Sequence, residues 1–239
     1  MLQGGNVMSY ERVYRMNIIM RINHWLMFIA FIACAVTGFY IAHPFLVFET
    51  GEVIDSYVMG YIRLVHYLGA ILLDVILLVW LYLFFFGHHS YFRFIFPLKP
   101  RFIEAMQMLK HYFTLRPEDK PETGDRMDAL NAWGIFLFII IFKALMLITG
   151  FAMLSPQITA ENTAIPGGQY VFSTIGSIAY FLFGNLANIR LAHHTIAWLM
   201  IVFVLIHIYL EVWREAIWKE GDISIVFSGY KFVKKGKNK

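Results

Sequence analysis

A single cysteine, Cys34, stands in 239 residues, and it lies inside an apolar run. An intrachain disulfide is therefore excluded, and so is any cluster or zinc site built on several thiolates. Charge is also scarce. Asp, Glu, Lys and Arg make up 15% of the chain, against about a quarter in soluble domains. Hydrophobic residues reach 59% and the mean hydropathy is +0.61, which rules out an ordinary water-soluble globule. Segments of about ten residues with alternating polarity, the mark of an outer-membrane barrel, are missing. The first residues, MLQGGNVMSYERVYRMN, are polar, and no small-residue cleavage pattern follows, so no cleavable signal peptide is expected.

What remains is four apolar runs, at about 21–42, 61–87, 131–154 and 189–214. Each meets the roughly 20 residues a helix needs to cross a bilayer. The expected fold is all-α: one polytopic membrane domain, a bundle of four transmembrane helices.

The loops orient it. Arg12, Arg15 and Arg21 precede the first run. The connection 88–130 carries Arg93, Lys99, Arg101, Lys110, Arg116, Lys120 and Arg126, and the tail 215–239 carries Lys219, Lys231, Lys234, Lys235, Lys237 and Lys239. The connections 43–60 and 155–188 contain no Lys or Arg. The positive-inside rule then predicts cytoplasmic termini, with the loop 88–130 and the tail 215–239 on the cytoplasmic side and the loop 155–188 on the outer side. The net charge of +4 thus has a membrane explanation, and no nucleic-acid partner is expected. The stretch 169–185 reads as a short helix on the outer surface, with a fifth span as the alternative. The stretch 99–115 has helical periodicity and basic residues, and is expected along the cytoplasmic interface against membrane lipid.

The chain repeats itself. IRLVH (62–66) recurs as IRLAH (189–193), and VTGF (36–39) as ITGF (148–151). Each TGF precedes an outer-loop proline, Pro44 or Pro156. The first and third spans correspond, as do the second and fourth.

Histidine inside a membrane helix is rare and marks a functional site by default. The fourth run holds His193, His194 and His207. The repeat selects His193 over His194, because His193 is the counterpart of His66. His193 and His207 are fourteen residues apart, which is about 21 Å along a helix and roughly 40° around it. His24 sits at the inner end of the first run. Four histidines at two depths predict two haems, His66 with His193 on the outer side and His24 with His207 on the inner side. The repeat is broken at the inner pair: Phe136 stands where His24 would recur, and Trp80 where His207 would. No C-x-x-C-H motif occurs, so both haems are expected to be held non-covalently, without thioether bonds. Two imidazoles leave an iron with no open position, which favours electron transfer over catalysis at the iron.

Other residues have two readings each. His43, His88, His89 and His111 read as interfacial. His194 points about 100° from His193, towards a propionate, a partner subunit or lipid. Arg63 and Arg190 precede the outer ligands by one turn and suit haem propionates, or are ordinary interfacial arginines. Gly38, Gly69 and Gly150 leave room for a macrocycle, or for close helix packing. Asp74 and Lys143 lie in mid-span and are expected to pair. The alternative is a snorkelling Lys143 and an Asp74 that faces a cavity.

RINHW in the first span, IRLVHYLGA in the second, IRLAHH and IHIYLEVWRE in the fourth, and the tail GDISIVFSGYKF resemble one known family. This is the b-type dihaem cytochrome subunit of membrane-bound nickel–iron hydrogenases. The likeness covers essentially the whole chain. The wider superfamily includes the cytochrome b subunit of formate dehydrogenase, a second reading. A haem-free scaffold or transporter subunit is a third. The resemblance implies a membrane anchor for iron–sulfur and nickel–iron subunits. Electrons from hydrogen oxidation then pass through the outer and inner haems to a quinone, expected to be menaquinone. No hydrogen-activating site is expected on this chain. The resemblance places the quinone near the inner haem at Asn131, with Arg126, Asp128 and Asn23 as neighbours.

Overall fold

The computed structural model describes residues 10–44, 57–86, 98–116, 129–163, 166–218 and 222–234. Its elements are β1 (Tyr10–Tyr14), α1 (Ile18–Ala42), α2 (Val58–Phe86), α3 (Leu98–Thr114) and α4 (Ala129–Ile135). A π-helical stretch (Phe136–Phe142) leads into α5 (Lys143–Leu154), followed by α6 (Gly168–Phe183), α7 (Leu186–Trp218), α8 (Asp222–Ser228) and β2 (Tyr230–Lys234). Four segments are long and apolar enough to cross a membrane: Ile18–Ala42, Val58–Leu83, Ala129–Gln157 and Leu186–Ile217. They coincide with the four runs read from hydropathy. Their outward-facing residues are apolar, as Ile29, Leu78 and Leu205 illustrate, each about two-thirds exposed. That is the surface lipid requires rather than water.

The chain divides into two compact units. The first comprises Met1–Phe96, Glu122–Arg126 and Leu210–Lys239. Its main contact is α1 against α2. A β-carbon at Gly69 would lie 2.7 Å from Cys34 Sγ, so glycine there lets the two helices approach closely. This decides between the two readings of Gly69 in favour of helix packing.

The same unit contains a feature that hydropathy does not reveal. Strands β1 and β2 pair antiparallel, from Tyr10 opposite Lys234 to Tyr14 opposite Tyr230. An isolated two-stranded ribbon is marginal in water. Here it is braced. The Tyr14 and Tyr230 rings meet edge-on at 5.2 Å, and the Arg12 guanidinium lies 4.1 Å over the Tyr230 ring. The turn into β2 is made by Gly229, whose φ of +87° suits glycine, and its carbonyl accepts from the amides of Arg15 and Met16. Helix α1 starts immediately afterwards, with Asn17 Oδ1 accepting from the Met20 amide at 2.8 Å. The segments before α1 and after α7 are therefore held together on one side of the unit's helices.

The second unit comprises Pro97–Pro121 and Met127–Tyr209. Helix α6 packs on α5 through small residues. Ala152 and Ala179 are fully buried with Ile189, a β-carbon at Gly176 would meet Ser155 Oγ at 2.6 Å, and Phe151 stacks on Phe172 at 4.8 Å. At 16 residues α6 is short for a span, in keeping with a surface helix. Asn185 then caps α7, its Oδ1 accepting from the Asn188 amide at 2.9 Å. Helix α3 forms where periodicity placed it. Arg101, Ala105, Met108 and His111 are buried on one face, while Phe102, Ile103, Met106 and Phe113 are exposed on the other. The Nδ1 of His111 lies 2.8 Å from the Arg116 carbonyl, closing the end of α3.

The third span departs from a plain helix. Over Phe136–Phe142 the bonding is π-helical, and the Lys143 amide donates to the Phe138 carbonyl five residues back. Lys143 itself is buried, at 9% exposure.

Candidate functional site

The TGF repeat is a piece of histidine-holding architecture. In the first unit, His66 on α2 places Nδ1 3.0 Å from Thr37 Oγ1 on α1. In the second unit, His193 on α7 places Nδ1 2.8 Å from Thr149 Oγ1 on α5. Both threonines are buried, Thr37 at 6% exposure and Thr149 at 0%.

The direction of these bonds follows from counting protons. A threonine hydroxyl has one proton to donate. Thr37 Oγ1 lies 2.6 Å from the Ala33 carbonyl, and Thr149 Oγ1 lies 2.7 Å from the Leu145 carbonyl. These are back-bonds to the carbonyl four residues earlier, and each uses that proton. Oγ1 must then accept from the imidazole, which puts the hydrogen on Nδ1. The ring lone pair is then on Nε2. A neutral imidazole with its second nitrogen tied to an oxygen is the form that ligates iron.

The glycine after each threonine faces the same ring. A β-carbon at Gly38 would lie 3.2 Å from His66 Cε1, closer than nearly all such contacts. At Gly150 the corresponding distance to His193 Cε1 is 3.6 Å, an ordinary contact. The sequence offers these glycines as room for a macrocycle or as close helix packing. Their immediate neighbour is the histidine itself. The threonines went unflagged, although the co-recurrence of TGF with IRLxH was the available signal.

His194 is engaged differently. Its Nε2 accepts from Trp198 Nε1 at 3.2 Å, one turn along α7. That nitrogen is occupied by the indole N–H.

His24 and His207 lie in aromatic settings. His24 meets Trp25 edge-on at 5.6 Å. Trp25 Nε1 donates to the Val226 carbonyl on α8 at 3.1 Å, and its ring lies 5.1 Å from Phe227. Arg21 donates to the Phe227 carbonyl. In the second unit the His207 ring is parallel to Phe203, with centroids 6.4 Å apart. Phe203 stacks on Phe138 at 5.0 Å, and a β-carbon at Gly134 would lie 3.1 Å from its Cζ. The third span supplies no histidine, yet its π-helical stretch holds the aromatic shelf beside His207.

Asn131 is half-buried on α4 and Asn23 is buried on α1, while Arg63 and Arg190 are both exposed. Arg126, Asp128, His88 and His89 lie outside the described residues.

The sequence profile of the prokaryotic cytochrome b561 family matches residues 15–229. The chain belongs to this family. The match starts one residue after β1 ends and stops one residue before β2 begins. Among similar proteins is one of Azotobacter vinelandii, 28% identical over 231 residues, covering 95% of this chain and 92% of the relative. One of Bradyrhizobium diazoefficiens is 31% identical over 230 residues, covering 95% and 88%. One of Escherichia coli K12 is 30% identical over 221 residues, covering 91% and 89%. The first two are named "Probable Ni/Fe-hydrogenase B-type cytochrome subunit", and the third carries the same name with the numeral 1 after hydrogenase. This cytochrome is a multi-pass protein of the bacterial inner membrane, and its cofactor is b-type haem. The Nδ1-protonated forms of His66 and His193 fit that cofactor, since each turns its Nε2 lone pair away from the threonine that holds it. The haem-free scaffold reading is thereby set aside.

Proposed function

We propose that this chain is the membrane-anchoring electron-transfer subunit of a periplasm-facing nickel–iron hydrogenase, and that it delivers electrons from hydrogen to the quinone pool. The observation that carries the reading is the twice-built threonine–histidine frame in a chain of the cytochrome b561 family. The relatives' names favour hydrogenase over formate dehydrogenase as the partner. Their nickel–iron and iron–sulfur subunits are the expected partners here, because a chain with one cysteine cannot hold a cluster relay.

Two haems are held, each by two histidines. His66 and His193 are the outer pair, on the strength of the IRLxH and TGF repeats. His24 and His207 are the inner pair, on the strength of the fourteen-residue spacing. Bound haem supplies a one-electron carrier whose iron alternates between ferric and ferrous. The chain's own residues fix the imidazoles, exclude water and set the depth of each ligand. Thr37 and Thr149 keep the hydrogen on Nδ1 of the outer ligands. Trp25 and Phe203 flank the inner ones. Arg63 and Arg190, exposed one turn before the outer ligands, are suited to propionates. Hydrogen oxidation on the partner releases two electrons and two protons, and quinone reduction consumes two of each. The quinone, expected to be menaquinone, is assigned to Asn131, Arg126 and Asn23 on the cytoplasmic side, where polar side chains can pass protons.

The orientation rests on loop charge, with both termini cytoplasmic. The β1–β2 pairing supports it by holding the two terminal segments together.

The test is to add hydrogen to membranes containing the intact complex and record the reduced-minus-oxidised spectrum. The expected result is b-type absorption that hydrogen reduces and added quinone reoxidises, lost in part in His66→Ala or His193→Ala. Reduction by formate but not hydrogen would overturn the partner. Full occupancy of both haems in His66→Ala would overturn the ligand assignment.

A further inference from the structure

We infer that Thr37 and Thr149 are matched positioning residues that fix the tautomer of the two outer haem ligands, and thereby set the affinity and potential of that haem apart from the other. The inference rests on the proposed outer pair, His66 with His193.

In each unit the hydroxyl is buried and back-bonded to its own helix, at 2.6 Å from Ala33 O and 2.7 Å from Leu145 O. The oxygen that remains faces Nδ1 at 3.0 and 2.8 Å. The hydroxyl is thus a committed acceptor with a fixed direction. An imidazole in that position has one low-energy form: hydrogen on Nδ1, lone pair on Nε2. The opposite tautomer would set a ring lone pair against an oxygen lone pair inside a membrane protein, where an unmet polar contact is costly.

Two consequences follow. The helices hold both outer imidazoles in the tautomer that ligates iron, so little reorganisation is needed when haem binds. An acceptor on Nδ1–H also raises the basicity of the ligating nitrogen, which favours ferric over ferrous iron and lowers the potential. The TGF repeat that supplies Thr37 and Thr149 has no counterpart near His24 or His207, which lie against the aromatic rings of Trp25 and Phe203.

The experiment compares Thr37→Val, Thr149→Val and the two serine variants with the parent in the purified intact complex. The readouts are haem content, b-type absorption and a redox titration resolving the two haems. Valine matches threonine in shape but removes the acceptor, and serine restores it. The expected result for either valine variant is an upward shift of one haem's midpoint. Retention of that haem should also weaken by about 10–100-fold, as for other lost outer-sphere partners of a metal ligand. The second haem should be unmoved, and serine should restore both properties. His66→Ala is run in parallel. If it removes one haem while Thr37→Val leaves both potentials and occupancies unchanged, the inference is overturned and the ligand reading stands. If His66→Ala leaves both haems in place, the ligand reading itself fails. Equal shifts of both haems in the valine variants would also overturn the inference.

Discussion

The indole N–H of Trp25 donates to the carbonyl of Val226 across 3.1 Å, joining residues 201 positions apart in the chain. Trp25 is the neighbour of His24, and Val226 lies on α8, the helix that leads into β2. The N-terminal end of the first span is therefore braced by the C-terminal segment. Trp25→Phe keeps the ring contact to Phe227 but removes the donor. It should lower stability by about 1 kcal/mol, the usual net worth of such a bond. Thermal unfolding of the solubilised protein would register the loss, and an unchanged midpoint would show that the bond is dispensable.

The turn between α8 and β2 makes a sharper demand. Gly229 has φ +87°, and a β-carbon there would lie 2.5 Å from the Met16 carbonyl. Gly229→Ala should cost about 1–3 kcal/mol in local strain and release the β1–β2 ribbon. Limited proteolysis should then cut the C-terminal segment sooner than in the parent, with the four spans intact. Equal digestion rates would contradict this account of the turn.

The two glycines of the TGF repeat are not equivalent. Gly38→Ala forces a β-carbon to 3.2 Å from His66 Cε1, whereas Gly150→Ala meets His193 Cε1 at a comfortable 3.6 Å. Haem content should fall in Gly38→Ala and stay near the parental level in Gly150→Ala. Equal losses would mean that the macrocycle, rather than the imidazole, claims the space.

Gly69 tests helix packing by a different route. Gly69→Ala should destabilise the α1–α2 pair, because its methyl would sit 2.7 Å from Cys34 Sγ. Cys34→Ala removes that sulfur, and the double variant should recover much of the loss. A coupling of about 0.5–3 kcal/mol is typical of residues in contact. Strictly additive effects in a thermal-unfolding cycle would rule out the contact as the reason for glycine.

His194→Ala provides the control for the ligand choice. The Nε2 of His194 is taken up by Trp198 at 3.2 Å, so its removal should leave the b-type absorption at full amplitude. A loss of b-type absorption would instead favour His194 over the proposed His193 as ligand.

Hydropathy alone placed the four spans, because a helix in lipid must satisfy its backbone internally and present about 20 apolar residues in a row. Cysteine scarcity excluded cluster chemistry, and the short repeats selected His193. These are local properties, readable along one strand of text. The tertiary structure decided what needs two distant segments to meet. It turned the threonine of TGF from a repeat marker into the acceptor for a histidine 29 or 44 residues away. It gave Gly69 to Cys34 rather than to a macrocycle. It paired strands of five residues drawn from opposite ends of the chain, which are too short for any periodicity to announce. A hydrogen bond or a close approach between helices depends on their relative depth and rotation, and packing alone sets those.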